Sequence, residues 1–92
     1  MTIEHKQKDA KGMFFIQGDD GVLAEIVYAV TGNKMIIEHT EVDEELRGEN
    51  IGFQLVSHVV DYARTHQHKV VPVCGFAKAV FDKKPEFRDV LA

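Results

Sequence analysis

Three parts of this sequence carry groups that could do chemistry. Arg47 to Gly52 reads R-G-E-N-I-G and stands where a β-rich segment gives way to an amphipathic helix. The first N–H groups of a helix have no partners within it, so this junction is a potential anion site. His39 offers an imidazole whose ordinary pKa suits a base at neutral pH. Cys74 carries the single thiol of the chain and is either a packing residue or a reactive one.

Glycine and asparagine at this junction predict how closely an anion can approach the main chain. Gly48 and Gly52 lack a Cβ, and either can take a positive φ that curls the turn. Asn50 could stand in for a third glycine, because asparagine is the non-glycine residue that most readily enters the left-handed region. The same residues also suit an ordinary strand-to-helix turn, with glycines for the bend and Asn50 as the N-cap. Short glycine motifs match by chance, so the turn alone does not decide between the two interpretations.

Composition narrows the class of protein. The chain has 92 residues, of which 45% are hydrophobic and 28% charged, which is typical of one soluble globular domain over residues 1–92. A net charge of −4 with dispersed lysines argues against nucleic-acid binding. The apolar runs are too short to span a bilayer, and the N-terminus lacks the apolar core of a signal peptide. We therefore expect a cytoplasmic protein without a membrane partner.

The cysteine and histidine pattern gives no reason to expect a metal. One cysteine excludes an internal disulfide and any cysteine-rich zinc site. His66 and His68 form a pair at a predicted helix end, and His58 lies on the helix, but further ligands at a recognisable spacing are lacking. These histidines are predicted to be surface residues, two of them favoured by the helix dipole.

Hydrophobic patterning predicts the elements that position these groups. Turn residues separate three predicted strands, at residues 13–17, 22–30 and 34–42. Apolar residues then recur every three or four positions over residues 50–66, which indicates one long amphipathic helix. A fourth strand is predicted at residues 70–74. The last predicted elements are a short helix at residues 77–83 and a tail docked by Phe87, Val90 and Leu91.

The order strand, glycine turn, helix, strand predicts a crossover and a parallel strand pair, hence an α/β fold with a mixed sheet. Ligands favour the carboxyl ends of such strands. Pro72 cannot donate a ladder hydrogen bond, so pairing should stop there or the strand should be an edge. Along the third strand the alternating set Met35, Ile37, His39 and Glu41 begins apolar and ends polar, which predicts that one face leaves the core partway along.

The segment that joins the third strand to the helix resembles the acetyl-CoA pyrophosphate loop of the GNAT N-acetyltransferase superfamily. That loop reads Arg or Gln, two residues, Gly, one residue, Gly or Ala. Arg47 and Gly52 match the pattern, Gly48 fits a common Arg-Gly opening, and Asn50 replaces the central glycine. The resemblance implies that backbone N–H groups from Arg47 to Gly52 hold a pyrophosphate.

Small stand-alone GNAT-like domains share further motifs with this chain, so the resemblance spans Ile36 to Asp89. These motifs are a His-Thr pair before the loop, one cysteine after the helix, and a tail resembling C-x-F followed by P-E-F-x-D. Here they are His39-Thr40, Cys74, Phe76 and residues 85–89. The resemblance implies a GNAT-like fold whose third and fourth strands splay apart around the pantetheine arm of acetyl-CoA, and Pro72 fits such a splay.

The same resemblance implies roles for individual residues. His39 would be the general base, and Cys74, across the cleft, would carry the acetyl group, reprotonate the CoA sulfur or only pack. Glu49 is an awkward neighbour for a pyrophosphate, so its side chain is expected to face solvent. The implied cofactor-binding residues are Val42, Arg47, Gly48, Glu49, Asn50, Ile51, Gly52 and Phe76.

The sequence thus predicts an acetyl-CoA-dependent N-acetyltransferase that acts on an unidentified amine. The acceptor could be a protein lysine, an N-terminal amine or a small amine, and no metal is expected. A CoA or acyl-CoA binding module with little transferase activity is the alternative, because the acceptor side is poorly walled. A protein-interaction domain with a merely structural glycine loop and a thiol redox sensor based on Cys74 also remain open.

Overall fold

The computed structural model describes residues 2–92 as one mixed five-stranded sheet with helices packed against it. The strands are β1 (Glu4–Lys8), β2 (Lys11–Gly18), β3 (Gly21–Thr31), β4 (Lys34–Val42) and β5 (Lys69–Pro72). They lie in chain order, with β1 to β4 paired antiparallel and β4 paired parallel to β5. The helices are α1 (Ile51–His66) and α2 (Gly75–Lys83), with 3₁₀ helices at Glu44–Leu46 and Pro85–Val90. The predicted fold class is confirmed.

The helix α1 fills the crossover between β4 and β5 and packs against the middle of the sheet. Its fully buried side chains recur at spacings of three and four, as predicted: Leu55, Val56, Val59, Val60 and Ala63. Alternate residues of the central strands meet them, namely Ile26, Tyr28, Met35 and Ile37. Burial of one such side chain stabilises the fold by about 1.5–3 kcal/mol, so this face holds the helix in place.

The strand β1 was not predicted from the sequence. Its residues are polar and exposed, so hydrophobic alternation gives no signal. Pairing with β2 and a few side-chain contacts hold it instead. The His5 ring stacks on Phe14 with centroids 4.1 Å apart, and its Nε2 lies 2.6 Å from the Tyr28 hydroxyl. Lys6 lies over the Phe15 ring.

A bulge in β4 changes which face its later side chains occupy. Val27 pairs with His39 and Tyr28 pairs with Ile37, so Glu38 is an extra residue in the ladder. The predicted alternation that grouped His39 with Ile37 is therefore wrong. One inserted residue moves every later side chain to the other face of the sheet. Thr40, which pairs with the buried Ile26, takes the α1 face, and His39 takes the opposite face.

The strand β5 is shorter than predicted, ending at Pro72 rather than at Cys74. Ile37 and Pro72 are the last pair of the parallel ladder, and the N–H of Cys74 donates to the Ile37 carbonyl at 3.0 Å. The chain then turns into α2. Pairing therefore stops at Pro72, as expected for a proline, and residues 38–42 form an open edge of β4 on this side.

The tail docks on the core, as predicted. Phe87 and Val90 are buried, and Leu91 bridges to Val70 of β5. Arg64 of α1 donates to both carboxylate oxygens of Asp89, at 2.9 and 2.8 Å. None of the helices within residues 2–92 combines the length and the apolar character needed to cross a bilayer.

Candidate functional site

The turn that starts α1 uses two left-handed residues. Gly48 has φ of 87° and Asn50 has φ of 62°, whereas Gly52 is already helical. Asn50 is the N-cap, as predicted, although its side chain makes no capping hydrogen bond. The Asp43 carboxylate accepts from the Glu45 N–H at 3.1 Å and so begins the preceding 3₁₀ helix. We call residues 47–53 the helix-start turn.

Several N–H groups of the helix-start turn are left for a ligand. Those of Arg47 and Glu49 already donate to carbonyls within the loop, at 3.1 and 3.4 Å. The ladder of α1 begins only where the Gln54 N–H donates to the Asn50 carbonyl, at 3.1 Å. Among residues 2–92 no acceptor meets the N–H groups of Gly48, Asn50, Ile51, Gly52 and Phe53. A helix N-terminus with free amides attracts anions.

A cavity of about 510 Å³ opens beside the helix-start turn. The end of β4, the turn, the first residues of α1 and one side of α2 form its walls. Glu49, which the resemblance places among the cofactor-binding residues, is exposed, as expected for its side chain, and does not line the cavity. The other residues predicted to bind the cofactor all do: Val42, Arg47, Gly48, Asn50, Ile51, Gly52 and Phe76.

Sequence reasoning missed further lining residues, among them two cations. Lys83 and Lys84 end α2 and reach the same cavity as Arg47. Lys84 Nζ lies 4.8 Å from the centroid of the Phe53 ring, which holds the ammonium near the helix-start turn. Adjacent lysines at a helix end are usually explained by the helix dipole, so their position carries no specific signal of a binding site. The other missed residues are Thr40, Leu46, Phe53 and Val80.

Phe76 packs directly over Gly52. A Cβ at position 52 would lie 2.4 Å from the Cζ of Phe76, so only glycine fits beneath this ring. The ring nevertheless remains 45% exposed, because its other side faces the cavity. Gly52 therefore serves close packing between α1 and α2 rather than a positive φ.

Cys74 does not itself line the cavity, but it contacts Thr40, which does. Its Sγ is 3.5 Å from Thr40 Oγ1. Burial raises the pKa of the thiol, but the Thr40 hydroxyl and the N–H groups of Ala77, Phe76 and Thr40 outweigh burial, so the pKa lies below its ordinary value. Cys74 makes no regular capping hydrogen bond to α2, so these N–H groups act as nearby dipoles.

His39 lies on the opposite face of the sheet, between two carboxylates. Its Nε2 is 3.1 Å from Glu25 and 3.2 Å from Glu41, and its side chain is 48% exposed. These three side chains keep their ligand atoms within 4.8 Å of one another, a spacing that could also hold a metal ion. His39 therefore contacts two carboxylates, and Cys74 contacts Thr40. The expectation that Cys74 lies across the cleft from His39 is wrong, because the two side chains lie on different faces of the sheet.

Comparison with known proteins agrees with this architecture. A family model for GCN5-related N-acetyl-transferase matches residues 13–90. The chain therefore belongs to the GCN5-related N-acetyltransferase family. No curated protein sequence matches the chain at a significant level.

Several solved structures share the fold of this chain. A GCN5-like protein from Staphylococcus aureus, assigned as an N-acetyltransferase, is 37% identical with a TM-score of 0.76, over 97% of this chain and 87% of that one. The ribosomal-protein-S18-alanine N-acetyltransferase of Escherichia coli shares the fold, with 16% identity and a TM-score of 0.66, over 84% of this chain and 53% of that one. A Bacillus anthracis protein assigned as a streptothricin acetyltransferase, solved with acetyl-CoA, has 18% identity and a TM-score of 0.57, over 68% and 38%.

Proposed function

We propose that this protein transfers an acetyl group from acetyl-CoA to an amine. The observation that carries the proposal is the set of free amides at the start of α1, which border a cavity that three cationic side chains also line. Family membership supports acyl transfer in general. The dependence on acetyl-CoA, the roles of single residues and a cytoplasmic location are the parts that we propose.

The helix-start turn suits the diphosphate of acetyl-CoA. Its free amides can donate several hydrogen bonds, and Arg47, Lys83 and Lys84 supply positive charge around them. Because the helix dipole contributes only about 0.3–1 kcal/mol, direct N–H bonds must supply most of the phosphate affinity. The open edge of β4 is the matching feature for the amide-bearing pantetheine arm, since its main-chain groups have no strand partner there.

Transfer requires a neutral amine, so a base must accept a proton. The amine nitrogen attacks the thioester carbonyl, the C–S bond breaks, and the CoA sulfur leaves with the electron pair and takes up a proton. We propose His39 as the base, reached from the sheet face opposite α1. The carboxylates of Glu25 and Glu41 both lie near Nε2, so we propose that Nε2 carries the ring proton and that Nδ1 accepts the proton of the amine.

Calorimetric titration with acetyl-CoA tests the proposal. Gly48→Ala and Gly32→Ala are a matched pair, because both glycines have a positive φ, 87° and 61°, and open space where a Cβ would stand. Each substitution should lower the free energy of unfolding by about 1–2 kcal/mol through backbone strain. Of these two glycines, Gly48 lines the cavity and Gly32 does not, so only the Gly48 substitution should weaken acetyl-CoA binding. Absence of binding to the unsubstituted protein at millimolar acetyl-CoA would remove the proposal.

A CoA or acyl-CoA binding module with little transferase activity is the second candidate. One observation favours it: His39 does not line the cavity, so the base and the cofactor site lie on different faces of the sheet. This candidate predicts stoichiometric acetyl-CoA binding, no acetylation across a panel of protein and small-molecule amines, and no acetyl adduct on Cys74. Mass spectrometry of the panel separates the two functions.

A further inference from the structure

We infer that Thr40 is a positioning residue that holds the Cys74 sulfur at the edge of the cavity. The importance of this contact for acetyl transfer rests on the proposed function, whereas the contact itself does not. Cys74 is the single thiol of the chain, and its Sγ lies 3.5 Å from the Thr40 hydroxyl oxygen.

The bulge at Glu38 creates this arrangement. Without the extra residue, the alternation of β4 would turn His39 toward the α1 face and Thr40 away from it. With the bulge, the Thr40 side chain lines the cavity. The backbone of Cys74 is also held in place, because its N–H donates at 3.0 Å to the carbonyl of Ile37, the last residue of β4 that pairs with β5.

A threonine hydroxyl can serve both forms of the thiol. It accepts a hydrogen bond from a protonated S–H and donates one to a thiolate. Burial raises the pKa of Cys74, but Thr40 and the N–H groups at the start of α2 lower it by more, so the pKa of the thiol lies below its ordinary value. The groups that favour the thiolate are all neutral dipoles, so salt should change the effect little. Thr40 thus both directs the sulfur and raises the thiolate fraction at neutral pH.

Alkylation by iodoacetamide, followed by mass spectrometry across pH 6 to 10, tests this role. The single thiol makes the readout specific, and Cys74→Ala gives the blank. Thr40→Val keeps the shape and β propensity but removes the hydroxyl, so its rate curve should move to higher pH and its rate at pH 7 should fall about threefold to tenfold. Thr40→Ser keeps the hydroxyl and should restore the unsubstituted curve.

Two controls keep the result interpretable. Thr65→Val removes a hydroxyl that bonds the Asp61 carbonyl on the exposed side of α1, and it should leave the curve unchanged. Thr40→Ala is measured beside Thr40→Val, with thermal melting for both, so that misfolding of one variant leaves the other to decide.

Two outcomes would overturn the inference: an unshifted curve in a folded hydroxyl-less variant, or a Thr40→Ser curve as displaced as that of Thr40→Val. The assay contains no acetyl-CoA. A failure of the proposed acetyl transfer therefore leaves this test standing, and a failure here leaves acetyl-CoA binding standing.

Discussion

His39 shows how one residue depends on its neighbours for a chemical role. Glu25 and Glu41, on adjacent strands, both lie within 3.2 Å of the same ring nitrogen, Nε2, and the side chain is 48% exposed. Oriented histidines of this kind are suited to accept a proton from an attacking nucleophile. The role belongs to the proposed acetyl transfer and can be tested separately from cofactor binding.

At this scale we expect His39→Ala to lower the rate of amine acetylation about a hundredfold or more, because a positioned base contributes roughly that factor. Acetyl-CoA affinity should change little, since His39 does not line the cavity. His58→Ala is the matched control: His58 is an exposed histidine of α1 whose Nδ1 contacts the Gln54 carbonyl. Equal loss of acetylation in both variants would contradict the assignment.

The C-terminal elements, α2 and the 3₁₀ helix at Pro85–Val90, divide their aromatic residues between core and cavity. Phe87 is 6% exposed, and its ring stacks on Phe53 with centroids 5.7 Å apart. Phe76 is 45% exposed and lines the cavity. Both rings belong to the same short segment, but only Phe87 is buried in the core, whereas Phe76 covers Gly52 with one side and faces the cavity with the other.

Because Phe87 is buried in the core and Phe76 lines the cavity, the same substitution to leucine should have opposite effects at the two positions. Phe87→Leu should lower the free energy of unfolding by about 1 kcal/mol and leave acetyl-CoA affinity unchanged. Phe76→Leu should change stability by less than about 0.5 kcal/mol and weaken acetyl-CoA binding. Urea denaturation and calorimetry of the two variants provide the measurements. If acetyl-CoA does not bind in this cavity, the Phe76→Leu variant will keep the acetyl-CoA affinity of the unsubstituted protein.

Across the whole molecule, periodicity was a sufficient guide wherever burial was regular. Apolar residues that recur every three or four positions predict α1, alternation predicts β4 up to its bulge, and a run of apolar and β-branched residues predicts β3. Local hydrogen bonds and pairing decided the rest. The strand β1 is polar and depends on contacts such as His5 with Phe14, and the β4 bulge at Glu38 has no mark in the hydrophobic pattern.

The residues of the candidate site also fall into some that residue type predicts and others that only the packing of the fold places. Glycine and asparagine predicted the helix-start turn because its φ angles need them at Gly48 and Asn50. Thr40 belongs to the His-Thr motif, but its place at the cavity follows from the bulge, and Lys84 reaches the cavity through the docking of α2, so the hydrophobic pattern identifies neither.

The aromatic cluster that anchors β1 should make stability depend on pH. Although β1 is exposed overall, the His5 ring lies against Phe14 and Tyr62, and burial followed by the nearby His66 lowers the pKa of His5 from 6.5. The unfolded chain then binds the proton more readily, so stability should fall as pH drops below 6.5 and through the lower folded value.

Tyr28 should limit stability at the alkaline end. Burial, with smaller contributions from Tyr62, raises its pKa from 10.0 to about 12. The unfolded tyrosine ionises first, so stability should fall between those two values. Urea denaturation across pH 5 to 12 measures both limits. His5→Phe should flatten the acid side, and an unchanged acid side in that variant would contradict the assignment to His5.

The place of the open edge of β4 has a consequence for self-association. Unpaired strand edges at the outer margin of a sheet invite pairing with other chains and hence aggregation. Here β4 pairs with β3 through Val42 but has no partner on the β5 side beyond Ile37, where the first residues of α1 and one side of α2 line the same cavity as Thr40 and Val42. The helices beside this edge should hinder its pairing with the sheet of another copy. The fold thus keeps a main-chain template available without exposing it to its own copies.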